Sequence, residues 1–168
     1  MLTVDEIKSI LHLEPHPREG GFFTETYRST ETIDEHALPS RYRGTRSFST
    51  AIYYLLTPET FSEIHRLATD EIFHFYLGDP AEMLQLGPDG SARVLRIGMD
   101  LLRGETPQVV VRRGVWQGTR LSPGGRFALL GTTVAPGFDF ADYETGRREE
   151  LIKSFPRHRE LIMALTRR

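Results

Sequence analysis

The sequence predicts an all-β domain, an antiparallel sandwich or barrel with short helical ends. Three observations carry this. About nine short stretches have strand character and recur at regular spacing. Gly- and Pro-rich turns separate them, and no helical periodicity intervenes between one and the next, which argues against a parallel sheet.

The elements follow in order. Thr3 reads as a helix N-cap, with Glu6 three residues on completing a capping box. Val4, Ile7 and Leu11 fall at helical spacing, and Pro15 ends the helix because its ring disfavours helical backbone before it. Strands are expected at 22–28, 47–56, 61–67, 71–77, 81–86, 92–98, 108–112, 114–120 and 127–134. Gly78-Asp79-Pro80, Gly87-Pro88-Asp89-Gly90 and Ser122-Pro123-Gly124-Gly125 supply explicit turn chemistry. From Ala141 to Arg168 the chain reads as helical and charged. Leu151, Phe155, Leu161 and Leu165 are its expected core contacts, and Pro156 divides it.

Composition narrows the function classes. At 168 residues the chain suits one domain, here 1–168, with a core of its own. A net charge of −2 and scattered basic residues give no field that would favour nucleic acid or an anionic membrane. The absence of cysteine removes disulfides, thiolate nucleophiles and thiolate metal sites, and suits a reducing compartment. No apolar run approaches the ~20 residues of a membrane span, and Met1 to Glu6 lacks a signal-peptide layout, so a cytoplasmic location is expected.

Strand parity then sorts the chemistry-bearing side chains. On the 71–77 strand Glu71, Phe73 and Phe75 share one face, while Ile72, His74 and Tyr76 share the other; His74 therefore does not join Glu71. Tyr53 and Tyr54 point to opposite faces, so only one looks inward. Glu19-Gly20-Gly21 is a glycine-relieved turn into a strand and lacks the Lys and helix of a phosphate loop. Trp116, facing away from Gln117, is expected to anchor an interface or an outer core.

His65, Glu71 and Gly78 reproduce the spacing H-x-H-x3-E-x6-G, with Leu67 in the second histidine's place. Arg112 to Gln117 resembles P-x-G-x2-H, with Gly114 in register and Gln117 in the histidine's slot. With the segments 16–29, 49–56 and 135–140, these motifs give the chain a resemblance to the cupin superfamily, specifically its DUF985 (Cupin_5) branch. That resemblance implies a jelly-roll barrel with a pocket opening at one end, and a homodimer. Pro136 to Phe140 is expected at a pocket rim or a dimer edge.

Metal-binding cupins surround a divalent ion with three His and one Glu; by position only His65 and Glu71 match here. A weak Ni, Fe or Zn site would rest on His65, Glu71 and Gln117, a poor donor set for such ions, so no cofactor is the leading expectation. Cupin-type sugar-nucleotide epimerases instead use the histidine at this position as a base, paired with a tyrosine acid. The resemblance thus implies an isomerase- or epimerase-like enzyme acting on a sugar or nucleotide-sugar. His65 would be the base, Glu71 would orient it and raise its pKa, and Tyr53, Tyr54 or Tyr76 would be the acid. Phe73 and Phe75 would form a wall, Gln117 would hydrogen-bond the substrate, and Arg28 and Arg46 could meet an anionic group. A non-catalytic module binding a nucleotide or sugar is the alternative.

Overall fold

The computed structural model describes residues 2–167; Met1 and Arg168, the ends of the expected domain, lie outside the described residues. Two antiparallel sheets face each other. The strands in chain order are β1 (Glu14–Pro15), β2 (Phe22–Arg28), β3 (Thr32–Ile33), β4 (Arg46–Ser47), β5 (Thr50–Leu56), β6 (Phe61–Leu67) and β7 (Glu71–Gly78). They continue as β8 (Ala81–Leu86), β9 (Ala92–Ile97), β10 (Gln108–Val111), β11 (Trp116–Leu121), β12 (Ala128–Val134) and β13 (Tyr143–Thr145). The first sheet has the order β1-β2-β5-β12-β7-β10 and the second β13-β6-β11-β8-β9, while β3 and β4 pair separately. Pairing between strands distant in sequence, such as β5 with β12, makes this the expected jelly roll.

Alternation along the strands builds three apolar layers. Tyr54, Leu56, Phe73, Met83 and Leu130 fill the space between the sheets. On the outer face of the first sheet, Leu55, Phe127 and Leu129 cover Ile7 of α1 (Val4–Leu11). On the outer face of the second, Ile64, Leu84 and Leu86 pack against Leu151 of α2 (Arg148–Ser154), Ile162 of α3 (Arg159–Ala164) and Leu165 at the end of α3. Helix α1 carries the expected capping box: the Glu6 N–H donates to Thr3 Oγ1 at 3.2 Å, and the Thr3 N–H donates to the Glu6 carboxylate at 2.8 Å. Trp116 belongs to the outer core, its ring covered by the Arg66 guanidinium at 4.3 Å.

Three local expectations are corrected by the fold. The 47–56 stretch splits into β4 and β5 around a bend. The 114–120 strand begins two residues later, because Gly114 turns at φ 74°. The segment read as helical from Ala141 makes a single 3-10 turn at Phe140–Asp142 and then forms β13, which pairs with β6 so that Tyr143 lies opposite Leu67. No helix among the described residues is long and apolar enough to cross a membrane.

Candidate functional site

A bulge in β6 sets the floor of the site. Gln117 pairs with His65, yet Thr119 pairs with Ser62, so two residues of β6 bulge against one of β11. Ser62 and His65 therefore both face the space between the sheets, although they stand three apart. His65 Nδ1 lies 2.7 Å from the Glu63 carbonyl. A carbonyl only accepts, so Nδ1 carries the proton and Nε2 presents a lone pair. The Gln117 amide nitrogen meets that lone pair at 2.9 Å and the Glu71 carboxylate at 3.3 Å, one N–H to each. Gln117 thus bridges the two sheets, holding His65 apart from Glu71.

A second histidine and a second carboxylate complete the cluster. At Gly20 (φ 97°) and Gly21 (φ 67°) the chain passes so close to the Phe61 and Leu55 carbonyls that no side chain fits, and Glu19 is thereby carried to the floor. The Tyr54 hydroxyl donates to the Gly20 carbonyl at 2.7 Å and fixes this turn. Ser62 donates to one Glu19 oxygen at 3.3 Å; the other lies 3.6 Å from His65 Nε2 and 3.7 Å from His16 Nε2. His16 Nδ1 accepts the backbone N–H groups of Arg18 and Glu19 at 3.3 and 2.9 Å, so its proton sits on Nε2, towards Glu19. Tyr143 stacks on His65 with ring centroids 4.9 Å apart.

Burial pushes every member of this cluster towards its neutral form. It raises the Glu71 carboxyl to about 7, assisted by Glu19 and opposed by His65. It raises Glu19, and it lowers both His65 and His16. Burial also raises the Tyr143 phenol; the Thr145 hydroxyl opposes that shift without reaching hydrogen-bond geometry, and the Tyr143 hydroxyl has no partner. The net shift of His65 is therefore downward, although Glu71 was expected to raise it. Glu71 does act in that direction, but desolvation is the larger effect.

Above this floor opens a cavity of about 550 Å³. His16, Glu19, Glu71 and Thr132 line its base, and Phe23, Ile52, Val134, Phe138 and Phe140 its walls. Glu25, Arg28 and Asp139 stand around it as well. The segment after Val134 is held as a rim: the Phe138 N–H donates to Thr50 Oγ1 at 2.9 Å, and the Gly137 N–H to the Ser47 carbonyl at 2.7 Å.

The expected site residues divide accordingly. Glu71 and Arg28 reach the cavity, while His65 and Gln117 sit behind it, each 1% exposed. Phe73 and Phe75 are not its wall: Phe73 is central core, Phe75 packs against that core, and Phe23, Phe138 and Phe140 take the place assigned to them. Tyr53 and Tyr76 lie on the outer face of the first sheet, in edge contact at 5.7 Å, away from His65. His74 stacks on Tyr76 on that same face, as its parity requires. Tyr54 and Tyr143 are the inward tyrosines.

Arg46 does not line this cavity. It is buried in a two-pronged pair with Asp142, at 2.8 Å for each contact, and also donates to the carbonyls of Arg43, Gly44 and Thr45. Sequence reasoning missed His16, Glu19 and Tyr143. The Gly20-Gly21 pair was the available signal for Glu19, read only as a turn.

The donor set does not fit a metal. Gln117 turns its amide nitrogen, which has no lone pair to give, towards both His65 and Glu71. Reversing that amide would set its oxygen against the His65 lone pair. Among the described residues no three His, Asp or Glu side chains converge on one point.

Known proteins share this architecture. The family described as Cupin superfamily (DUF985) matches residues 5–146. The uncharacterized protein YML079W of Saccharomyces cerevisiae is 34% identical over 145 residues, covering 81% of this chain and 72% of its own length. Protein SO0799 of Shewanella oneidensis superposes with a TM-score of 0.87 at 35% identity, over 99% of both chains. A hypothetical protein from Leishmania major does so at 0.87 and 30%, over 99% of this chain and 100% of its own. Oxalate decarboxylase of Bacillus subtilis shares the fold alone, at a TM-score of 0.52 and 14% identity, over 91% of this chain and 37% of its own. With the jelly roll in place, the family match over residues 5–146 and relatives more than 30% identical make this chain a member of the DUF985 family of the cupin superfamily.

Proposed function

We propose that the cavity binds a small polar metabolite of sugar size and moves a proton on it without a metal, as in an isomerase or epimerase. The observation that carries this is Glu71. Its carboxyl lines the cavity, is 7% exposed, and is raised to about 7, where it exchanges a proton readily at neutral pH. Glu19, likewise raised and on the same floor, is its counterpart: with one carboxyl protonated and the other ionised, the floor holds an acid and a base together.

His65 acts in this reading through Gln117. The bridge holds the Glu71 carboxylate in place, and the Glu63 carbonyl keeps the His65 tautomer that receives the bridge. His65 is then a positioning residue. Two inward phenols adjoin the cluster: Tyr143, stacked on His65 and electrostatically coupled to Glu19, and Tyr54, coupled to Glu19 and Glu71.

The test is deuterium exchange. Sugars and nucleotide-sugars that stabilise the protein thermally are incubated with it in D2O and followed by proton NMR. Loss of one carbon-bound proton signal, abolished in Glu71→Gln while thermal stabilisation persists, is the expected result. A ligand that binds in the cavity and exchanges no proton overturns the catalytic reading and leaves a binding module.

A further inference from the structure

We propose that the cavity is built for a cationic ligand, a small molecule bearing an ammonium group, in preference to a neutral or phosphorylated one. This rests on the reading of the Glu71 cavity as the ligand site and names the class of ligand.

Charge pairing is the first argument. Four carboxylates line the cavity, namely Glu19, Glu25, Glu71 and Asp139, against a single guanidinium, Arg28. Arg28 is already committed: it grips Glu25 with two contacts at 2.9 and 2.8 Å and donates to the Phe138 carbonyl at 3.3 Å. His16 has its Nδ1 lone pair occupied by two backbone N–H groups and its Nε2 turned to Glu19. Once these pairs are removed, Glu71 and Asp139 remain, with no uncommitted cation among the described lining residues. A phosphate entering here would meet acidic side chains and no free cation among them.

The walls are the second argument. Phe23, Phe138 and Phe140 bring aromatic rings to the same volume, and ring faces beside carboxylates attract an ammonium ion while offering little to an anion. The ring of Phe140 already carries one cation, the Arg18 guanidinium 4.7 Å from its centroid. Phe138 and Phe140 meet edge-to-face at 5.0 Å, so the wall is preformed.

Geometry separates this ligand from a metal ion. An ammonium ion on an organic frame needs carboxylates distributed around a cavity of about 550 Å³. A bare divalent ion needs at least three donors converging at ~2.0–2.6 Å, and the carboxylates and histidines do not converge so. The ligand also relieves a cost. Glu71 is faced by His65 of β6, Gln117 of β11, Thr132 of β12 and Glu19 of the loop before β2; of these only His65 can carry positive charge, and it is held neutral. A bound cation supplies the missing counter-charge and favours ionised Glu71, so binding releases a proton at and below neutral pH.

The experiment is isothermal titration of the full chain with choline, its neutral isostere 3,3-dimethyl-1-butanol, glucose and glucose 1-phosphate. Choline does not titrate, so any pH dependence belongs to the protein. The expected result is choline binding about tenfold more tightly than its isostere, strengthening from pH 6 to pH 8, with glucose 1-phosphate weaker than glucose. Glu71→Gln should remove most of the choline preference; should that variant fail to fold, Asp139→Asn in the exposed rim should lower it by a smaller factor.

Equal affinity for choline and its isostere, absence of choline binding, or tighter binding of the phosphate would overturn the proposal. These outcomes are independent of the exchange test. A choline preference without proton exchange in any ligand sinks the acid–base reading alone, and proton exchange on a neutral or phosphorylated sugar without a choline preference sinks this inference alone.

Discussion

Replacing Glu71 with glutamine should stabilise the protein above neutral pH and do so far less in mild acid. The carboxyl is 7% exposed and its pKa rises from the ordinary 4.5 to about 7 on folding. The sign follows from where the proton sits. Between those two values the native state keeps a proton that the unfolded chain has released, so stability is full below pH 4.5, falls as pH rises, and reaches its lower plateau above about 7. A gap of roughly 2.5 units at 1.36 kcal/mol per unit makes the penalty of carrying Glu71 ionised about 3 kcal/mol. The opposing pull of His65 is already contained in that net shift.

Glutamine has the same shape and can still take the Gln117 N–H through its amide oxygen, and it never ionises. Glu71→Gln should therefore gain about 2–3 kcal/mol at pH 8 relative to wild type and less than about 1 kcal/mol at pH 5. For a chain of this size that is about 4–12 °C in melting temperature at the higher pH. Thermal and urea unfolding of both proteins at the two pH values makes the comparison. A variant destabilised by the same amount at pH 5 and pH 8 would refute the reasoning, because it would mean that Glu71 contributes through its contacts and not through its buried charge.

Other expectations follow from the same geometry. Arg46→Leu leaves Asp142 buried without its partner and should cost about 3–5 kcal/mol in urea unfolding, while Arg46→Leu with Asp142→Leu recovers most of it. Gln117→Leu takes the donor from the His65 lone pair and from Glu71 and should cost about 1–3 kcal/mol. Nitrogen NMR of His65 in that variant should still show the proton on Nδ1, because the Glu63 carbonyl holds it there. Tyr53→Phe and Tyr76→Phe should leave ligand-dependent deuterium exchange at the wild-type rate, since both rings lie outside the barrel; a loss of more than about tenfold in either would contradict the placement of the chemistry on Glu71 and Glu19.

Much of the fold was legible because its signals are local. The capping box at Thr3 and Glu6, the Pro and Gly turns and the alternation along each strand depend on residues a few positions apart. The parity that separated Tyr53 from Tyr54 and His74 from Glu71 survives in the folded chain for the same reason. Parity did not reveal which tyrosine faces in, since that depends on which face of β5 meets the opposing sheet. It was also blind to the β6 bulge, which turns Ser62 and His65 to one side, and to β13, whose three residues carry too weak a strand pattern to stand out from the helical tail.

The sequence by itself determined the family, the jelly-roll class and the pair His65 and Glu71, because motif spacing and strand alternation are one-dimensional properties of the chain. The tertiary structure decided what surrounds that pair. It inserted Gln117 between the two side chains, brought Glu19 and His16 from some fifty residues away, built the cavity wall from Phe23, Phe138 and Phe140, and committed Arg46 to Asp142. The physical reason is that desolvation and hydrogen-bond partnership are set by neighbours in space. A carboxyl raised to about 7 is a property of what surrounds Glu71 between the sheets, and no stretch of sequence around position 71 contains it.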